Sequence, residues 1–359
     1  MFTTSNIHLS EIWGMHNSMS CFSIKKIFES KSMKTFTING GLLLEKLIGF
    51  CDGRSNPIRI FSEEEIKLAT NNFDERVCRG AFSNLYKGVL QGRPIIVKKY
   101  RHAWDKKPDA INEIVYASGM SVHRNVLKFL GCCLEANCPL LVFETAQITT
   151  LADRIGNLDF YGFQPMPWKT RLKIAVEIAH AVVYLHTAFH RPIVHRNIMP
   201  SNVLLDEHDK AKLFDFSLCV SIPEGESHVE EATAGTYGFI APEYMITGLV
   251  SEKCDVYSFG VFLLVLLTGQ GPVTFCRTEN GDEVCLIPYV ESQIENNRFE
   301  EIVDPCIVAE GTWVGKEQQL KAVVCLAILC INDSEEERPT MIEVAKELRN
   351  IYRTANGPC

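Results

Sequence analysis

Long apolar runs are missing from this sequence. The longest, VFLLVLL (Val261–Leu267) and AVVCLAILCI (Ala322–Ile331), fall well short of the ~18 residues that would span a bilayer. Both read as core helices, and no transmembrane segment is expected. A basic excess is missing too. With 36 Lys and Arg against 44 Asp and Glu, the formal net charge is −8, which argues against a general nucleic-acid binder because such a surface is strongly positive. No secretory signal precedes the 14 cysteines, and Cys132-Cys133 has no second pair at zinc-ligand spacing. Reduced, mostly buried thiols in a cytoplasmic protein are expected. Phe2 rather than Gly follows Met1, which excludes myristoylation there.

What is present is an ordinary globular balance, 46% hydrophobic and 22% charged over 359 residues. That length predicts two domains or one bilobal one. Residues 1–18 carry neither helical periodicity nor a targeting pattern, and 1–38 reads as a flexible extension. Within it, MSCFSIKKIF sets Cys21 near Lys25 and Lys26, the composition of a palmitoylated, weakly basic anchor. Peripheral membrane contact is therefore the alternative to a plain tail.

FSEEEIKLATNNF (Phe61–Phe73) opens on Ser62 with Glu65 three residues later, a capping box ahead of a helix that Asn71-Asn72 ends. VCRGAFSNLYKGVLQGRPIIVKKY alternates and turns at Gln91-Gly92, as an antiparallel meander does. INEIVYASGM puts Ile111, Ile114, Val115 and Ser118 on one helical face. VLKFLGCCLEANCPLLVFE reads as two strands joined around Glu135–Pro139. Beyond Glu144 the character turns helical. WKTRLKIAVEIAHAVVYLH predicts a buried stripe of Leu172, Ala175, Val176, Ala179, Val182, Val183 and His186. A short hairpin turning at Glu207–Asp209 follows, and the chain from Asp255 onward is mostly helix. The expected architecture is α+β, a small β-rich lobe followed by a larger helical one.

HRNIMPSNVLLD (His195–Asp206) has the layout of a phosphoryl-transfer catalytic loop, where a carboxylate takes the substrate proton and a lysine steadies the moving phosphate. Asn197 stands at the carboxylate position and Met199 at the lysine position. Upstream, G-x-G-x-x-G-x-V laid on CRGAFSNL puts Cys78, Gly80 and Ser83 at the glycine positions. Only Gly80 keeps the type, and each added Cβ holds such a loop further from phosphates. Lys98 ends a strand ahead of Glu113 on the next helix, the spacing of a phosphate-holding ion pair. Taken alone, Lys98-Lys99 is solvated edge decoration. FDFS supplies Asp215, with Ser217 where the template has glycine. Asn202 and Asp215 fall at the two metal-ligand positions, oxygen donors of the kind magnesium takes. GTYGFIAPEY (Gly235–Tyr244), DVYSFGV (Asp255–Val261) and ERP (Glu337–Pro339) follow in order.

This ordered set resembles the eukaryotic protein kinase fold over Phe61–Arg353. FSEEEIKLATNNF, FLGCCLE, RLKIAVEIAHAVVYLH and DVYSFGVFLLVLLTG are similar to plant receptor-like kinases related to Pelle. NGGLLLEKLIGFCDGRSNPIRIFS (Asn39–Ser62) resembles the N-terminal flank of receptor-like cytoplasmic pseudokinases that act as adaptors for a plant coiled-coil NLR immune receptor. The resemblance implies an N-terminal flank at 39–60, an N-lobe at 61–144, a C-lobe at 145–353 and a tail at 354–359. It implies a Lys98–Glu113 ion pair, Phe143 as gatekeeper and Glu144–Ala146 as hinge. Asp255 would brace the catalytic loop, Glu243 and Arg338 would form a buried pair, and the activation segment would run from Asp215 to Glu243. Arg196 would offer a phosphate pocket there.

A general base contributes about 10² to 10⁴ in rate, and Asn197 can orient a hydroxyl but cannot take its proton. A missing preorganised charge costs about 2.7–4 kcal/mol, and Met199 supplies none. The expectation is a pseudokinase adaptor or decoy binding an NLR receptor and either a receptor-like cytoplasmic kinase or a pathogen effector. ATP and magnesium would bind weakly or not at all. The alternatives are a weakly active serine/threonine kinase and a nucleotide-gated switch. The activation segment, with Ser217, Ser221, Ser227, Thr233, Thr236 and Tyr237 among acidic residues, is expected to be a flexible recognition loop.

Overall fold

The computed structural model describes residues 32–47, 58–80, 82–101, 110–144, 149–156, 164–274, 276–277 and 283–354. The candidate anchor at Cys21, Lys25 and Lys26 lies outside the described residues, as do Thr145 and Ala146 of the expected hinge. Among the described residues, no helix is long and apolar enough to cross a membrane.

The smaller lobe is built on six strands, Arg59–Ile60 (β1), Arg76–Arg79 (β2), Ser83–Leu90 (β3), Arg93–Tyr100 (β4), Phe129–Cys133 (β5) and Leu140–Glu144 (β6). Their order in the sheet is β1-β5-β6-β4-β3-β2. Gln91 and Gly92, at φ 51° and 77°, make the two-residue turn joining β3 to β4, because left-handed turn residues match the twist of paired strands. β1 runs parallel to β5 with Arg59 opposite Gly131. A Cβ at Gly131 would lie 2.0 Å from Arg59 O, so only glycine admits the flank strand.

Three helices pack on this sheet. α1 (residues 32–47) is held by Asn39, whose Nδ2 donates to Leu134 O at 2.8 Å and to Ala136 O at 3.1 Å, and by buried Leu43. Residues 32–38 therefore belong to a docked helix, a correction to the flexible extension expected there. Met33, Phe36 and Ile38 ahead of Asn39 are all exposed, so the apolar residues there do not mark the docked face; the buried Asn39 amide and Leu43 do the anchoring. α2 (Glu63–Ala69) has the expected capping box, Glu65 N on Ser62 Oγ at 3.1 Å and Ser62 N on Glu65 Oε2 at 2.8 Å. α3 (Ala110–Met120) buries Ile111, Ile114, Val115 and Ser118, the face that its spacing predicts.

The larger lobe is helical. Helix Glu252–Thr268 is buried from Cys254 to Thr268, as its apolar perimeter requires. Helix Trp168–Thr187 buries Leu172, Ala175, Ala179, Val182 and His186, but also Ile174, Ile178, Ala181 and Leu185. Val176 and Val183 are only half-buried, so the stripe is wider than expected and rotated away from them. Val203–Leu205 pairs antiparallel with Ala211–Leu213, the expected hairpin. Arg338 and Glu243 meet in a two-pronged ion pair at 2.6 and 2.7 Å, with Arg338 buried. None of the described cysteines forms a disulfide; burial pushes Cys132 up to about 12 and Cys133 up to about 11, leaving inert protonated thiols.

Candidate functional site

The loop His195–Asp206 is braced from below by Asp255. Its Oδ2 accepts His195 N at 2.8 Å and lies 2.9 Å from His186 Nε2, while its Oδ1 accepts Arg196 N at 2.9 Å. Arg196 sits at φ 64°, a left-handed conformation that a long side chain rarely adopts without such support. His186, read from sequence as part of a buried stripe, is thus also a partner of Asp255.

On that scaffold Asn197 makes three hydrogen bonds. Its carbonyl accepts Asn202 Nδ2 at 2.9 Å, its N–H reaches His195 Nδ1 at 3.3 Å, and its Oδ1 accepts the Thr236 hydroxyl at 2.8 Å. The same hydroxyl lies 3.0 Å from Met199 Sδ. A single proton serves one of these acceptors at a time. The two degenerate positions therefore share one activation-segment threonine, and neither carries a charge.

Lys98 and Glu113 are fully buried and joined through both carboxylate oxygens, at 2.9 and 2.8 Å. The solvated reading of Lys98 is overturned. Lys98 Nζ also lies 2.9 Å from Asp215 Oδ1, which accepts Ser217 Oγ at 2.6 Å as well. The Tyr100 hydroxyl donates to Glu113 Oε2. Burial alone would lower Lys98, but Asp215 and Glu113 outweigh it and hold the amine above its usual range. Burial would likewise raise Asp215, yet Lys98 and Ser217 hold it low. For Glu113 burial prevails, helped by Asp215, and the carboxyl is pushed up.

The phosphate-loop positions are tied up within their own hairpin. Cys78 pairs with Leu85 in the β2–β3 ladder, and Ser83 is buried opposite Tyr100. The N–H of Gly80 donates to Ser83 O at 2.8 Å, closing the turn, so this amide is committed within the hairpin. Phe143 is buried with its ring edge-on to Phe129 at 5.6 Å. Glu144 is exposed, its Oε2 3.4 Å from Lys128 Nζ. For a magnesium ion, Asp215 Oδ2 and Asn202 Oδ1 carry no hydrogen bond among the described residues. Two hard oxygens with substrate phosphates form a fitting set, and the ion would supply charge neutralisation for those phosphates.

The activation segment is not the flexible loop expected. Val220–Ser221 pairs with Ile193–Val194, and Val229–Glu230 pairs with Leu249–Val250. Glu231 N donates to Gly248 O at 2.9 Å, and His228 Nε2 lies 2.9 Å from Glu335 Oε1. Arg196 NH1 donates to Tyr244 OH at 3.0 Å and lies 3.8 Å from Glu231 Oε2, so its pocket is already furnished. Backbone pairing across distant segments has no local signature. Tyr100 and Thr236 are the cleft residues that sequence reasoning missed. Tyr100 lies two residues beyond Lys98 on one strand and so shares its face, a signal that was there to use. Thr236 reaches Asn197 only through the fold.

Residues 71–348 match the family described as protein tyrosine and serine/threonine kinase, and the chain belongs to it. Proteins of this family use ATP and magnesium. The chain is 40% identical to the serine/threonine-protein kinase ZRK1 of Arabidopsis thaliana, over 90% of this chain and 93% of that one. It is 44% identical to the non-functional pseudokinase ZED1 of the same plant, over 88% of this chain and 95% of that one. It is also 40% identical to the wall-associated receptor kinase-like 3, over 89% of this chain but only 43% of that longer relative.

Proposed function

We propose that this chain is a catalytically impaired member of the kinase family whose work is binding. It acts as an adaptor or decoy in plant immune signalling, joining an NLR receptor to a receptor-like cytoplasmic kinase or a pathogen effector. The observation that carries the reading is the pair Asn197 and Met199 around Thr236: the first position holds no carboxylate to take a proton and the second no cation to steady a phosphate. The similar pseudokinase ZED1 supports it. The immune assignment rests on the resemblance of the flank Asn39–Ser62. α1 adds a surface for a partner, since Met33, Ile38, Leu42 and Leu44 are exposed on a helix docked by its other face. Cytoplasmic placement, with peripheral contact through Cys21, belongs to the same reading.

A weakly active serine/threonine kinase is the second reading, favoured by the assembled Lys98–Glu113–Asp215 cluster and by the similar kinase ZRK1. Radiolabelled phosphate transfer by the purified protein separates the two. Transfer at about 1 s⁻¹, an ordinary kinase turnover, defeats the adaptor reading. Affinity purification of the tagged chain from plant tissue tests the partner class; no NLR among the recovered proteins removes that part.

A further inference from the structure

Ser217 stands where the phosphoryl-transfer template has glycine, and its side chain is engaged at the centre of the cleft. Its Oγ donates to Asp215 Oδ1 at 2.6 Å, and its N–H points to the same oxygen at 3.3 Å. Lys98 Nζ lies 2.9 Å from that oxygen as well. Ser217 is only 6% exposed, so water competes poorly for the bond. A glycine would leave Oδ1 with the lysine and the backbone amide alone. Ser217 is absent from the residues with positive φ, so nothing in the backbone asks for glycine either.

Asp215 is the only carboxylate of the two-residue metal set, the other donor being the neutral amide oxygen of Asn202. Magnesium dehydrates reluctantly and needs near-ideal octahedral geometry, usually gained from one or two carboxylates plus substrate phosphates. A hydroxyl hydrogen bond to an ionised carboxylate is short and strong, and it draws on the charge that would attract a cation. Asp215 Oδ2 stays open, so the ion is not sterically shut out; its reward for entering is reduced.

We propose that Ser217 sets the cation requirement of this cleft: by occupying Asp215 Oδ1, its hydroxyl uncouples nucleotide binding from magnesium. The inference concerns binding and stands apart from the loss of base and lysine, which acts on transfer whatever Ser217 does.

The test follows displacement of trinitrophenyl-ATP by ADP and ATP, in excess magnesium chloride and in excess EDTA. Wild type, Ser217→Ala and Ser217→Gly are compared after their ligand-free melting temperatures confirm intact folds. The wild type binds nucleotide equally in both buffers. In each variant magnesium tightens binding by about tenfold, the size of one hydrogen bond to a charged group. A manganese titration followed by electron paramagnetic resonance reads the cation directly, and both variants retain more of it than the wild type. The proposal is overturned by magnesium-dependent binding in the wild type, by variants that gain no dependence, or by nucleotide binding to none of the three.

Discussion

The Thr236 hydroxyl lies 2.8 Å from Asn197 Oδ1 and 3.0 Å from Met199 Sδ, joining the activation segment to both altered positions of the catalytic loop. The loop carries no charge at its two catalytic positions but keeps its architecture. Asp255, Arg196 and Asn202 all keep their bonds within it.

Restoring the charges should therefore restore little. Asn197→Asp with Met199→Lys returns a base and a cation beside Thr236. Nucleotide positioning would still rest on a loop whose Gly80 amide is bonded to Ser83. Phosphorylation of a generic substrate should rise only slightly above background in a radiolabel assay. A double variant turning over at about 1 s⁻¹ would show that the phosphate loop is competent after all.

The large lobe should depend on Arg338. Its guanidinium is buried against Glu243, and removing one partner of a buried pair costs roughly 3–5 kcal/mol because the survivor is left uncompensated. Arg338→Ala should give insoluble protein, while Asn197→Ala should express as the parent does. Equal soluble yields of the two would contradict this.

Tyr100→Phe should weaken the fold measurably without breaking the Lys98–Glu113 pair. The phenol donates to a buried carboxylate, a bond to a charged group worth about 1.5–3 kcal/mol. A lower urea midpoint with an unchanged slope is expected. No change in midpoint would mean that Glu113 needs no second donor.

His195 should make stability sensitive to mild acid. Burial, against the pull of Asp255 and Asp215 and with the help of Lys98, holds its imidazole below the ordinary value of about 6.5. The unfolded chain then binds the proton more readily than the folded one. The contribution is complete above about pH 6.5 and is lost as pH falls toward the depressed value. Glu113, whose carboxyl is pushed up by burial, works in the opposite direction, so the comparison with His195→Gln isolates the histidine. Urea midpoints at about pH 7.5 and 5.5 should differ more for the wild type than for the variant. Equal differences would discharge His195 from this role.

Much of this was legible in one dimension. The capping box at Ser62 and Glu65, the turn at Gln91-Gly92 and the face of α3 are local codes, and each forms as its residues prescribe. The ordered motifs placed the kinase fold, because spacing along the chain stands in for topology once enough motifs agree. Docking of residues 32–38 was not legible, since it depends on Asn39 reaching carbonyls 95 and 97 residues away. The pinned activation segment was hidden for the same reason. Ser and Thr residues among acids look like a solvated loop until Glu231 and His228 find Gly248 and Glu335.

The strand Arg59–Ile60 does more than extend a sheet. An edge strand exposes a row of unpaired amides and carbonyls on which another chain can grow. By lying along β5, the flank covers part of that edge, and Gly131 is the notch that lets it in. The region that matches the kinase family begins at residue 71, after this cover. A protein trimmed to that homology would keep every catalytic motif and still be a worse molecule, with bare β5 open to its neighbours. The flank thus exchanges part of the longer edge of β5 for a strand of two residues, Arg59–Ile60, and very short edge strands give another chain little to pair with.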